Sequence, residues 1–323
     1  MYGYEIFHDE LMNSLIDSVH NGTSSHAYIF EGDKGLGIRN AARLFAAALT
    51  CQDANISPCG ACSSCIESKA DTNPDIVYVN SGDKKSIGAE QMRNLEENVA
   101  IKPFNSARKV YIIEDGAQLT EAAQNVFLKT FEEPPEYAVF IIITENSSLL
   151  LQTILSRFTL IHFPNVSDEA VENYIRNKYP EETERLPFLV KYCAGIPQTA
   201  DSVISNENFE TLRTASLEKL FSLISADRQA AFIIQKFIEE NKESLAEILD
   251  FWLSFLRDVT LLQTDAGERI INIDKKDSLR QIATRINPEK TINLSEKVIT
   301  SRKMAARYVN SKAISMWLAL ETA

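Results

Sequence analysis

Short apolar runs alternate with helix-period stretches through the first half of the chain. Ala27–Glu31, Ile76–Asn80, Val110–Ile113, Val139–Thr144 and Leu160–Phe163 each read as a strand, with Ala27–Glu31 and Val110–Ile113 suited to burial. Between them, Arg39–Thr50 sets Ala42, Phe45, Ala46 and Leu49 on one helical face, and Ala89–Ile101 does the same with Met92, Leu95 and Val99. Thr120–Phe131 reads as a third helix, with Thr120 as its N-cap and Pro134-Pro135 as its stop. Alternation of this kind predicts an α/β domain with a parallel sheet and helical crossovers. After Pro164 the period-two signal disappears. Ser167–Asn177 and Leu186–Cys193 read as short helices, and Gly195-Ile196-Pro197 breaks the second. From Phe209 onward the pattern is helical. In Glu243–Leu262 the residues Leu245, Ile248, Leu249, Trp252, Phe255, Leu256, Val259 and Leu262 recur at i, i+3, i+4 and i+7. The expected organisation is an α/β domain over 1–165, a small helical domain over 166–206 and an all-α domain over 207–323.

Composition adds little to this and removes much. The 323 residues are 45% hydrophobic and 24% charged, ordinary for a globular protein of two or three domains. No apolar run approaches the roughly 20 residues that span a bilayer. The N-terminus carries no basic segment followed by an apolar core, so the expected location is the cytosol, where thiols stay reduced. Lys and Arg sum to 33 and Asp and Glu to 45, a formal charge of −12. That argues against gripping nucleic acid or an anionic membrane unaided. The acid excess lies mostly in the first half, 21 acids to 12 bases over 1–165. The one basic stretch, residues 269–312, holds 11 bases and 4 acids and serves subunit pairing as readily as any other role.

The first predicted strand runs into Gly32-Asp33-Lys34-Gly35-Leu36-Gly37 and then a helix, the context of a phosphate-binding loop. Such a loop reads Gly-x-x-x-x-Gly-Lys-Ser/Thr. Its glycines let backbone N–H groups wrap the phosphates, its Lys neutralises the β and γ oxygens, and its hydroxyl holds Mg²⁺. Gly32 and Gly37 match the glycines, but Ile38 stands at the Lys position and Arg39 at the hydroxyl position. Productive ATP hydrolysis is not expected. Nucleotide binding stays open, because the helix N-terminus remains and Lys34 or Arg39 could reach a phosphate. The third strand ends in Glu114-Asp115, the reverse of the Asp-Glu order that holds Mg²⁺ and polarises water in an active site. Paired acids after a strand are also common as plain loop solvation; beside Ile38 and Arg39 they fit a retired site.

Four of the five cysteines, Cys51, Cys59, Cys62 and Cys65, fall within 15 residues. In a reducing compartment this spacing suits a structural tetrahedral Zn²⁺, with an iron–sulfur cluster or free thiols as the alternatives. Pro58, Gly60, Ala61, Ser63 and Ser64 between them are small and turn-prone. A zinc-dependent nucleic-acid module is disfavoured, since the loop carries neither Arg nor aromatic residues. Cys193, in an apolar helix, reads as a core thiol. Arg157, in Thr153-Ile154-Leu155-Ser156-Arg157-Phe158, lies just before the last strand. It is either a surface ion-pair partner or an arginine that completes a neighbour's phosphoryl-transfer site.

Taken together these segments are similar to the bacterial clamp-loader AAA+ family. The likeness rests on His26–Gly32, the four-cysteine module, Ser86–Arg93, Lys109–Asp115, Phe127–Pro135 and Thr153–Arg157, in family order and nearly continuous over 1–165. Phe255-Leu256-Arg257-Asp258 with Leu261-Leu262 resembles the family's collar. The resemblance implies an AAA+ domain with an inserted zinc module, a helical lid and a helical collar. Ile38, Arg39, Glu114-Asp115 and Gln198, where a sensor Arg is expected, favour the family's non-hydrolysing stator branch over its ATP-hydrolysing gamma/tau branch. A divergent but active gamma/tau-like ATPase is the alternative. In the stator branch Ser156-Arg157 would face the ATP site of an adjacent gamma/tau subunit. The implied partners are gamma/tau, delta and, through the complex, the sliding clamp and primed DNA. Phe158 departs from the family's usual Cys. Lys84-Lys85, running into a helix N-terminus, suit either a DNA phosphate contact or a solvated loop.

Overall fold

The computed structural model describes residues 4–320 except 54, 83, 225–229 and 265. Its chain divides into two compact units, one reaching Ala170 and including Ile196–Gln198, the other made of Val171–Gly195 and the residues from Thr199.

The first unit is a five-stranded parallel sheet. Its strands are β1 (Ala27–Glu31), β2 (Ile76–Val79), β3 (Lys109–Ile113), β4 (Ala138–Thr144) and β5 (Thr159–His162), in the spatial order β2-β3-β4-β1-β5. Every pair is parallel: Ile29 lies opposite Ile142 of β4 and Leu160 of β5, and Ile112 lies opposite Ile141. β3 and β4 read as unbroken apolar runs because both faces are covered, whereas β5, at the sheet edge, is largely exposed, with Leu160 49% accessible. Alternate side chains divide between two cores. Ala27, Ile29, Tyr111, Ile113, Phe140 and Ile142 face one; Tyr28, Phe30, Val110, Ile112, Val139 and Ile141 face the other. The first is closed by α4 (Ala89–Val99) and α5 (Glu121–Glu132), the second by α1 (Asp9–His20) and α2 (Ile38–Leu49). The Thr120 hydroxyl accepts from the Ala123 amide, capping α5 as its sequence predicts.

Two elements depart from the patterning. α1 is unmarked in the sequence reading because it buries only Met12 and Leu15, too narrow a stripe to stand out. Ser63-Ser64, read as turn residues, open a short helix, α3 (Ser63–Lys69). Its N-cap is Cys62, whose Sγ accepts from the Cys65 amide at 3.4 Å, so a cysteine does the work usually left to Ser or Asp.

The second unit is helical, from α7 (Asp168–Lys178) through α8 (Leu186–Cys193), α9 (Thr199–Ser205), α10 (Phe209–Ile224) and α11 (Ala230–Glu240) to α12 (Leu245–Gln263), α13 (Lys276–Arg285), α14 (Pro288–Ala306) and α15 (Ser311–Leu320). The apolar stripe of α12 is buried from Leu245 to Val259. The indole N–H of Trp252 donates to the Ser216 carbonyl at 2.8 Å. Arg213 is fully buried, held by both carboxylate oxygens of Asp274 at 2.7 and 2.8 Å and stacked 3.8 Å over the Phe188 ring of α8. Among the described residues no helix is long and apolar enough to cross a membrane.

Candidate functional site

A cleft of about 750 Å³ opens at the carboxyl ends of β1, β2, β3 and β4, where an α/β sheet of this kind binds ligands. The loop after β1 forms one wall, with Gly32, Asp33, Lys34, Gly35, Gly37, Ile38 and Arg39; Glu114 and Asp115, which follow β3, form another. The fold therefore brings together the two halves that the sequence marks as a nucleotide site.

Both loop glycines are required by packing. A Cβ on Gly32 would lie 2.6 Å from the Phe163 carbonyl, and one on Gly37, at φ +72°, 2.6 Å from the Glu5 carbonyl. Ile38 does not enter the cleft as a lysine would; it is buried in the core beneath α2. Arg39 does enter it. Its Nε and Nη2 donate to the two oxygens of Glu114, a bidentate pair joining the first turn of α2 to the end of β3. The Glu114 side chain is 7% exposed and that of Arg39 64%. Asn80, following β2, donates to the same carboxylate at 3.2 Å. The pair raises the Arg39 pKa further, so the guanidinium stays charged. Asp115 turns aside and accepts from the Ser81 amide and hydroxyl at 3.5 and 3.4 Å.

Three participants escaped the sequence reading as site residues. Asn80, read as the last residue of the second strand, lies just past the end of β2, beside β3. Glu5 carried no signal: its backbone carbonyl accepts from Asn40, and its carboxylate accepts from the Gln198 amide at 2.9 Å. Thr144 lines the cleft and ends β4. Gln198, expected where a sensor arginine would stand, lines the cleft, and its backbone N–H donates to the Gly35 carbonyl at 3.3 Å. Lys34 lines the cleft and is exposed.

Arg157 is not among the residues lining this cleft. It follows α6 (Gln152–Leu155), which Ser156 caps, its hydroxyl donating to the Thr153 carbonyl at 3.0 Å. Phe158, where the family's usual residue is Cys, is buried with its ring edge-on to Phe131 at 4.7 Å.

The four cysteines converge. Their sulfurs all lie within 4.8 Å of one another, with Cys59 and Cys65 at 3.9 Å, close to the roughly 3.8 Å edge of a tetrahedron with metal–sulfur bonds of about 2.3 Å. All four are reduced. Backbone amides of Asp53 and Cys59 point at the Cys51 sulfur, and those of Cys62 and Cys65 at the sulfurs of Cys59 and Cys62, each at 3.4 Å. Such amides favour thiolate. At Cys59, the amides of Ala61 and Cys62 pull the pKa down to about 6, while burial pushes Cys51 up to about 12. Four sulfurs this close together form a set that could hold a metal ion. Cys193 is buried in α8 with its pKa raised to about 12 by burial, an inert core thiol.

Two family models, both describing the DNA polymerase III delta subunit, match residues 7–167 and 207–317. The chain belongs to the DNA polymerase III delta-subunit family. Within it, the chain is 28% identical to DNA polymerase III subunit delta' of Bacillus subtilis over 319 residues, 96% of this chain and 94% of that protein. Delta' of Haemophilus influenzae is 27% identical over 267 residues, 82% of this chain and 80% of that protein. DNA polymerase III subunit tau of Escherichia coli is 26% identical over 250 residues, but this chain spans only 39% of its length. End-to-end likeness is thus to delta', and likeness to tau is confined to part of a longer protein. The DNA polymerase III relationship and the parallel α/β domain followed by a helical remainder expected from the sequence are borne out.

Proposed function

We propose that this chain is the non-hydrolysing delta-prime stator of a clamp loader that places a sliding clamp on primed DNA. The domain at 1–165 carries the retired nucleotide site, 166–206 form the lid, and 207–323 form the collar that assembles with gamma/tau and delta. The observation that carries this reading is the Arg39–Glu114 ion pair. The cation that a hydrolysing site holds between its loop hydroxyl and its acidic strand end is Mg²⁺. Here a side chain of the protein itself joins those two positions, and the lysine position is spent on the core. The Glu114 carboxylate is already taken by Arg39, and Asp115 is turned toward Ser81.

The contribution to chemistry is made in trans. Arg157 stabilises the charge on the phosphoryl group being transferred in an adjacent gamma/tau subunit, with Ser156 fixing the turn that carries it. Such a finger is worth about 10³–10⁵ in rate at the site it serves. The ion in the four-cysteine module is Zn²⁺, which a closed tetrahedral thiolate set suits, and its role is structural. It pins the segment between α2 and β2. The net acidic chain leaves DNA contact to the assembled ring, with the exposed Lys84 and Lys85 as its contribution from this domain.

The test is reconstitution with gamma/tau and delta. The pure chain is expected to turn over no Mg-ATP. Arg157→Ala is expected to co-assemble normally and to lower clamp- and DNA-stimulated ATPase of the complex. Turnover by the pure chain would support the divergent ATPase instead, and an Arg157→Ala complex as fast as wild type would remove the finger.

A further inference from the structure

The guanidinium of Arg157 is not free in solvent. Its Nη1 donates to the Thr153 carbonyl at 2.7 Å, and its Nη2 donates to Oε1 of Glu132 at 2.8 Å. Glu132 is the last residue of α5, and Arg157 follows α6, so the pair joins the ends of two helices separated by β4 in the sequence. The residues beside them are joined as well. Phe131 and Phe158, their immediate neighbours, meet edge-to-face in the core, and Phe131 packs in turn against Phe127 and Phe140. One residue inward, the backbone is fixed by an aromatic contact; one residue outward, the side chain is fixed by an ion pair.

We infer that Glu132 is a positioning residue for Arg157: it holds the guanidinium in the orientation in which a neighbour's phosphates meet it, with Phe131 and Phe158 setting the spacing. This rests on the reading of Arg157 as a finger. An unrestrained arginine populates many rotamers, and fixing them at the moment of catalysis costs entropy. Two acceptors from the same chain remove that cost beforehand while leaving other N–H groups of the fork for a phosphate. Phe158 belongs to the same device. In place of the small residue usual there, a large ring fills the space under α5 and brings the end of that helix within reach of Arg157.

The pair is partly exposed, with side chains 34% and 50% accessible. Pairs of this kind couple weakly, so the effect expected is about two- to fivefold, not an abolition. The assay is clamp- and DNA-stimulated ATP hydrolysis by the complex reconstituted with gamma/tau and delta. Glu132→Ala is expected to lower kcat by that factor with KM for ATP unchanged. Glu132→Gln keeps an oxygen to accept from Nη2 and is expected to recover most of the loss. In an Arg157→Ala background, Glu132→Ala is expected to change nothing further, because its route of action is gone. If Glu132→Ala leaves kcat unchanged or raises it while Arg157→Ala lowers it, the finger stands and the positioning role falls. An equal loss from Glu132→Ala with and without Arg157 would make Glu132 a structural residue and also overturn the inference. If Arg157→Ala itself has no effect, the finger reading fails first.

Discussion

Removal of Arg39 should destabilise the first unit in one context and stabilise it in another. In the wild-type chain Arg39→Ala strands the Glu114 carboxylate, whose side chain is 7% exposed and keeps only the Asn80 amide at 3.2 Å. Losing a bidentate charged bond costs about 1.5–3 kcal/mol. Against this, Arg39 puts a cation in the first turn of α2, which holds no acid there. Its removal relieves about 0.3–1 kcal/mol of unfavourable interaction with the helix dipole. The net loss is about 1–2 kcal/mol, or roughly 3–6 °C in the unfolding midpoint of a unit this size. In a Glu114→Ala background only the dipole effect is left, and Arg39→Ala should raise the midpoint by roughly 1–3 °C. The assay is calorimetry or tyrosine near-UV circular dichroism of the four variants. Both tryptophans, Trp252 and Trp317, lie in the second unit, so their fluorescence monitors that unit alone and should not shift. A loss of the same size in both backgrounds would refute the reasoning, for it would mean that Arg39 stabilises α2 without Glu114.

Two further outcomes follow from the same unit. Elemental analysis of chain purified without chelator should find close to one zinc per molecule; stripping it under reducing conditions should lower the first unit's midpoint and expose its four thiols to titration, with Cys193 unreactive until unfolding. Glu31 accepts from the Ser147 amide at 2.7 Å, and the Ser147 side chain first, then that amide and the nearby His162, hold its pKa below the ordinary carboxylate value. Its contribution to stability is therefore present above the unfolded-state pKa of about 4.3 and is lost as pH falls through the lower folded value. Glu31→Gln should flatten the acid limb of the stability curve in that window. An unaltered acid limb would show that Glu31 is not held in this way.

The strand order could not be read along the chain, yet each strand could. β3 and β4 are apolar at every position because both faces of a parallel sheet are covered, and no exposed edge imposes a polar alternation on them. The long helix α12 was legible for the opposite reason: one face is buried, and the period of 3.6 shows it. α1 was not, since two buried residues make too faint a stripe, and Ser63-Ser64 were misread because the cap of their helix is a cysteine. The sequence also determined that the phosphate loop lacks its lysine and hydroxyl and that four thiols lie close enough to share a metal, as these are matters of identity and spacing.

Only the tertiary structure decided what replaced the missing chemistry. Nothing local says that Arg39 reaches Glu114, 75 residues away, in preference to a phosphate; parallel strand ends placed side by side by β4 decide it. Nor does spacing connect Glu132 to Arg157. Those side chains meet because Phe131 and Phe158 share one core. Sequence fixes which groups a chain owns and what its neighbouring residues do, whereas the pairing of distant charges depends on which strand and helix ends the sheet brings together.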